Sequence, residues 1–320
     1  MKWLSSGCVL LNLALSGDPD KGYPFGRMVN LCGLAATGKT GLAVEAMIRC
    51  LRLLGDGEGL DVKVIYDETE AAFDLDYAER IGLPLDDDRL VVRHSSSVED
   101  CFEALSEEIK NLKEDSYLLY VLDSLDALPA VAELSRDITE GSYGTEKAKQ
   151  LSSFFRRIMP SLHGKNVLLF VVSQLRENVG VMFGDKYRRA GGLAPDYYAS
   201  QIIRLTEAGH VKNGDVNVGL LIKAEIKKNK LYPPFKTVKF VWSFDIGLDD
   251  VATCFLYAKE NGLIKRGGGW YKWKDKSYRE DDLLNLFSEN EEEWTELKKI
   301  VAEHWTESQN KARITRRKVL

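Results

Sequence analysis

One eight-residue run, Gly33-Leu-Ala-Ala-Thr-Gly38-Lys39-Thr40, constrains this chain more than any other stretch. A short apolar run, Met28–Cys32, leads into it, and a helical pattern, Gly41–Leu54, leads out. That order matters physically. Glycines let backbone N–H groups curl around phosphate oxygens, and a helix N-terminus directly behind them adds positive potential. The G-x-x-x-x-G-K-[ST] spacing then supplies a lysine for β- and γ-phosphates and a hydroxyl for Mg²⁺. A glycine-containing βα turn with an incidental lysine is the weaker reading in this context. The chain is expected to bind a nucleoside triphosphate through Gly33, Gly38, Lys39, Thr40 and Gly41.

The surrounding sequence predicts what carries the loop. Across residues 26–240, β-rich apolar runs (Val62–Tyr66, Leu118–Leu122, Val167–Ser173) alternate with helical patterns (Val98–Lys113, Glu146–Leu162). Buried strands separated by crossover helices imply an α/β fold, doubly wound about a mostly parallel sheet. From Ala199 the style changes to ASQIIRLTE, an Asn213-Gly214 turn, GLLIKAEIK and FKTVKFVWS. This reads as an antiparallel extension of the same sheet, with Asn-Gly as its hairpin turn. Past Ile246 come a helix over Asp249–Glu260, a Gly267-Gly268-Gly269-Trp270-Tyr271 corner and two polar helices. The expected division is an ATPase core over 1–246, a small α+β C-terminal domain over 247–310 and a basic tail over 311–320.

Composition excludes several classes. Of 320 residues, 44% are apolar and 29% charged, which argues against a disordered or fibrous chain. Five cysteines with no C-x-x-C spacing suit reduced thiols in the cytoplasm. Mean hydropathy of -0.24, with no long apolar run, predicts no membrane span. The N-terminal stretch lacks an A-x-A-like site, so no secretory signal is expected. A net charge of -5 disfavours a globally cationic nucleic-acid coat but leaves room for a local basic groove.

Two further strand ends carry chemistry. Tyr117–Asp123 is an apolar run ending in an acid, placed where open α/β sheets bind ligands, and Asp123 can hold Mg²⁺ there. Val62–Tyr66 ends in Asp67-Glu68-Thr69-Glu70, and one of these acids could orient the water that attacks the γ-phosphate. Position alone does not choose among them. Another strand ends in Gln174, whose amide could sense a γ-phosphate.

Several stretches at matching distances resemble the RecA family of DNA recombinases, phage recombinases of the UvsX kind included. They are SSG…LNLAL…PFGRMVNLCG, DETEAAFDLDYAERIGL, VLDSLDAL, SQLRENVGVMFG…AGG, KKNKLYPPFK and GGGWY. The likeness runs from about Ser5 to Trp305. It implies that Glu70 is the catalytic glutamate, that Asp74 and Tyr77 contact adenine, and that Gln174 senses the γ-phosphate. By the same likeness, Lys228 and Lys230 reach the nucleotide of the neighbouring protomer. Residues 133–145 and 177–192 match two DNA-binding loops. In the second, Gly180, Gly184, Gly191 and Gly192 allow close backbone approach and Met182 and Phe183 can stack or wedge. Lys186, Arg188 and Arg189 can neutralise phosphates.

The resemblance implies an ATP- and Mg²⁺-dependent recombinase that forms a homo-oligomeric filament on single-stranded DNA and pairs it with duplex. A ring-forming RecA-core motor and an ATP-binding recombination mediator are the alternatives. Three departures stand out. Few residues precede Ser5, so the family's N-terminal helix and β-segment lack a counterpart, and either the usual filament contact or its replacement is in question. The phosphate loop reads Leu-Ala-Ala-Thr where bacterial members usually carry Pro-Glu-Ser-Ser, and Gly41 stands where Thr is usual. The acidic bacterial tail is replaced by a basic end. Together they suggest a phage or mobile-element homologue.

Overall fold

The computed structural model describes residues 1–134, 144–177, 187–189 and 194–311. The elements in chain order begin with β1 (Trp3–Leu4), α1 (Val9–Ser16), β2 (Tyr23–Pro24), β3 (Arg27–Gly33) and α2 (Lys39–Arg49). Then come β4 (Val62–Glu68), α3 (Leu75–Arg80), β5 (Leu90–Arg93), α4 (Val98–Asn111), β6 (Tyr117–Asp123), α5 (Val131–Leu134) and α6 (Gly144–Leu162). The second half holds β7 (Val167–Glu177), β8 (Tyr187–Arg189), α7 (Ala194–Tyr198), β9 (Gln201–Asn213), β10 (Val216–Asn229), β11 (Thr237–Ser243) and β12 (Gly247–Asp249). It closes with α8 (Asp250–Glu260), β13 (Lys265–Gly267), β14 (Trp270–Trp273), β15 (Lys276–Tyr278), α9 (Glu280–Glu289) and α10 (Glu291–Lys311).

The main sheet runs β12-β11-β10-β9-β3-β7-β6-β4-β5, with β8 attached to β7. From β9 to β5 every pairing is parallel. The reason lies in the strands themselves. In β3, Val29 and Leu31 face one core while Met28 and Cys32 face the other; in β7, Leu168, Phe170 and Val172 alternate with Val167, Leu169 and Val171. Strands apolar on both faces need a helical layer on each side. Helices α1 and α2 cover one face, and α4 and α6 cover the other. Residues of the C-terminal segment, among them Cys254, Phe255, Phe287, Leu297, Val301 and Trp305, join the α1/α2 layer.

Three expectations need correcting. Strand β9, read as the start of the antiparallel extension, pairs in parallel with β3, so antiparallel pairing begins only at β10. The hairpin tip is shifted by one residue. Asn213 pairs with Val216, which leaves Gly214 and Asp215 as the loop, and Gly214 takes φ 60° there. A two-residue loop needs the left-handed conformation at its first position, and Gly214 meets that need at lower cost than Asn213. Finally, α2 stops as a regular helix at Arg49 and widens into a π turn over Cys50–Gly57, short of the single run to Leu54. Among the described residues no helix is long and apolar enough to cross a membrane.

Candidate active site

The phosphate-binding loop leaves the C-terminal end of β3, the central parallel strand, and delivers its chain into α2. Gly38 is the N-cap of that helix at φ 80°. This left-handed backbone aims the following N–H groups outward, and only glycine takes it cheaply. Lys39 opens the helix with 8% of its surface exposed, and its Nζ donates to the Leu34 carbonyl at 2.6 Å. The lysine therefore closes its own loop. Burial pulls its pKa down, against the carboxylates of Asp123 and Glu70, which push it up. A half-desolvated ammonium at a helix N-terminus favours an anion in front of it.

Asp123 ends β6, two strands from β3 across β7. Its Oδ2 accepts from the Thr40 hydroxyl at 2.8 Å and from the Tyr66 hydroxyl at 3.2 Å. Burial pushes its pKa up to about 6; the Thr40 bond opposes this and the Glu70 charge adds to it. A desolvated carboxylate beside a hydroxyl, with more carboxylates nearby, suits a hard divalent cation held by oxygen.

Glu70 lies past the end of β4, in a loop anchored from below. Glu68 Oε1 accepts the backbone N–H groups of Glu70 at 3.0 Å and of Ala72 at 3.1 Å. Thr69 ties the same loop to β6, since its N–H donates to the Asp123 carbonyl at 2.9 Å and its hydroxyl to the Ser124 carbonyl at 2.7 Å. The Glu70 carboxylate accepts from the Ser124 hydroxyl and, at 2.7 Å, from the Gln174 side-chain amide. Gln174 belongs to β7, opposite Gly33 in register. The structure thus brings Gly33, Gly38, Lys39, Thr40, Asp123, Glu70 and Gln174 to one edge of the sheet, where parallel α/β folds bind ligands.

Beside this edge, Asp74 accepts the Tyr77 N–H at 2.8 Å and so caps α3. Tyr77 is half-buried, and its hydroxyl accepts from the Trp242 indole N–H at 3.2 Å. The same indole fills the space beside Gly41. A Cβ at position 41 would lie 2.3 Å from its Cζ2. Trp242 is thus the reason this chain carries glycine at that position.

A family model of the RecA N-terminal domain matches residues 1–249. Protein RecA of Bacteroides thetaiotaomicron is 30% identical over 85% of this chain and 78% of its own length. Protein RecA of Rhodopirellula baltica is 30% identical over 93% of the chain and 76% of its length. Protein RecA of Nostoc punctiforme is 29% identical over 94% and 79%. The chain belongs to the RecA family. Its activity is that of the family, ATP-dependent DNA recombination with DNA-dependent ATP hydrolysis.

Two groups of RecA-type residues lie elsewhere. Lys228 and Lys230 are at the far edge of the sheet from the phosphate loop. Lys228 pairs with Ile202, which pairs with Asn30; Lys230 N–H donates to the Ser200 carbonyl, and Ser200 N–H to that of Met28. Measured along β3, that puts them about 10–17 Å behind Gly33 at ~3.3 Å per residue. The Lys228 ammonium donates to the last carbonyls of α7, those of Asp196 and Tyr197, whereas Lys230 is exposed. Of the candidate DNA contacts, Gly180, Met182, Phe183, Gly184, Lys186, Gly191 and Gly192 lie outside the described residues. Only the backbone of Arg188 and Arg189 is described, in β8 against β7.

Sequence reasoning assigned no role to Ser124, Asp126 or Trp242. Ser124 and Asp126 had a usable signal, polar residues clustered behind a strand that ends in an acid. Trp242 had only its absent partner, the glycine at 41.

Proposed function

We propose that ATP with Mg²⁺ is bound at the β3 edge of this chain and hydrolysed at a seam between two copies assembled on single-stranded DNA, in a cytoplasmic protein. Lys39 and the backbone N–H groups from Gly38 onward hold the phosphates, while Asp74 and Tyr77 flank the base. Thr40 and Asp123 are the residues that would hold Mg²⁺, which when bound neutralises charge on the β- and γ-phosphates. Glu70 orients and accepts a proton from the attacking water. Lys228 and Lys230 serve the neighbouring copy's nucleotide. Their placement at the opposite edge of the sheet supports this, because it takes them out of reach of their own phosphate loop. Residues 247–310 form a small C-terminal unit packed on the core.

One observation carries the reading. Gln174, on the strand that leads toward residues 177–192, donates to the carboxylate of Glu70. The group proposed to prepare water is therefore bonded to the root of the segment proposed to hold DNA. In that geometry, engagement of the segment and the setting of Glu70 cannot be independent.

The test is ATP turnover with and without single-stranded DNA over a salt series. Stimulation by DNA that declines as salt rises is expected, since phosphate contacts release counterions. Turnover indifferent to added DNA at every salt concentration would overturn the reading.

A further inference from the structure

Behind Glu70 lies an acid that the reading above does not use, Asp126. The end of β6 and the turn after it hold Asp123, Ser124 and Asp126 within four residues, and the Ala127 N–H closes the turn by donating to the Ser124 carbonyl at 3.2 Å. Asp123 faces Thr40 and Ser124 faces Glu70. Asp126 faces the third side. Its Oδ2 accepts the backbone N–H of Gln174 at 2.6 Å, and its own carbonyl accepts from the Lys147 ammonium at 2.7 Å.

The topology explains why a carboxylate is wanted there. Strand β6 ends at Asp123, and its last registered pair with β7 is Leu122 with Val171. Beyond it the Leu125 N–H reaches back to the Val172 carbonyl at 3.0 Å, and two residues further, among the described residues, β6 offers Gln174 no ladder partner. Asp126 replaces the missing strand. A charge-assisted bond from the backbone fixes where Gln174 stands more firmly than a neutral one would. It thereby fixes the reach of its side chain to Glu70.

Lys147 adds the second connection. It belongs to the first turns of α6, the helix that follows residues 135–143. Burial pulls its pKa down, with Asp126 and Glu133 acting the other way and Arg176 reinforcing the burial. A partly desolvated lysine held by a carbonyl at the turn ties the helix to that turn.

We propose that Asp126 is a positioning residue for ATP hydrolysis, setting Gln174 and through it Glu70, and that Lys147 couples this setting to α6. Both candidate DNA segments then act on one carboxylate: residues 177–192 through Gln174, and residues 133–145 through Lys147 and Asp126. The proposal rests on the functional reading above and deepens it, by naming how DNA regulates the site.

The test compares full-length wild-type, Asp126→Ala, Asp126→Asn and Lys147→Met proteins, measuring kcat and KM for ATP with and without saturating single-stranded DNA. In Asp126→Ala we expect the DNA-stimulated kcat to fall about tenfold, the cost of leaving one polar group unpaired. The KM for ATP should stay within about twofold, because no phosphate contact is touched. Asp126→Asn should recover most of the rate, since its amide oxygen accepts the same N–H. Lys147→Met, which keeps the aliphatic stem, should leave DNA-free turnover unchanged and reduce the stimulation by about fivefold. Full stimulation in either Asp126→Ala or Lys147→Met overturns the inference while leaving the functional reading intact. A wild-type protein that DNA does not stimulate removes both. Should Asp126→Ala fail to fold, the Lys147→Met comparison decides the matter in the same two directions.

Discussion

Glu70 is an exposed carboxylate whose two side-chain bonds both come from neutral donors, Ser124 and Gln174. Both bonds leave a carboxylate oxygen free to face a water. Glu70→Gln preserves the shape and removes the basicity. ATP binding should be retained and turnover should fall at least about a hundredfold, the usual worth of a positioned general base; single-turnover kinetics with a fluorescent nucleotide separates the two. Lys39→Ala should do the opposite and abolish nucleotide binding itself, because the lysine closes the loop through Leu34 and is the group proposed to face the phosphates. Position at the strand end left Asp67, Glu68 and Glu70 equivalent and the family likeness pointed to Glu70; the structure separates the three by their partners. Asp67 is fully buried against Ser95 and Tyr120, and Glu68 is spent on the backbone of its own loop. Only Glu70 looks out.

At the scale of elements, the central parallel strands β3, β6 and β7 were legible because each is apolar on both faces. The unbroken runs at 28–32, 118–122 and 167–173 signal burial from either side. What was not legible was pairing direction at β9, since a strand's composition does not record which neighbour it meets. Strand β5 was also missed; it is four residues long, and Val91 and Val92 are exposed at the sheet edge. The packing of α2 against β11 yields a test. Gly41→Thr drives a side chain into the Trp242 indole and should lower thermal stability by about 1–3 kcal/mol. Adding Trp242→Leu should recover part of the loss, and strictly additive effects in a double-mutant cycle would remove the contact as the explanation. A second test concerns α1 and α8. The Asp250 carboxylate receives the Val9 N–H at 3.0 Å, and burial raises its pKa to about 7. That value is above the ~3.9 of an unfolded aspartate, so the native state takes up a proton in between. Its contribution to stability is then complete below about pH 4 and lost as pH rises through about 7. Asp250→Asn, which keeps the acceptor, should flatten the melting temperature between about pH 5 and 7; an unchanged slope would show that another group titrates.

For the whole molecule, the strand, turn and helix around Gly33–Thr40 could be placed from the sequence because phosphate loops demand them in fixed order. The partner edge came only through the family likeness, which assigns Lys228 and Lys230 to a neighbour's nucleotide; the register of β10, β9 and β3 adds that they lie behind their own copy's phosphate loop. If they act between copies, Lys230→Ala and Glu70→Gln proteins should each be inactive alone. Mixed, they should regain part of the turnover, because one kind of seam joins an intact Glu70 to an intact lysine pair. Electron micrographs with ATP and single-stranded DNA should show helical filaments, whereas closed rings would favour a motor of the same core.

That opposed placement of phosphate loop and lysines also makes length a variable. If the lysines complete a neighbour's pocket as proposed, an open stack of such copies holds one fewer finished pocket than it has members, because the copy at one end has no neighbour. Output per copy would then climb as stacks lengthen and level off, whereas a closed circle would show no such deficit.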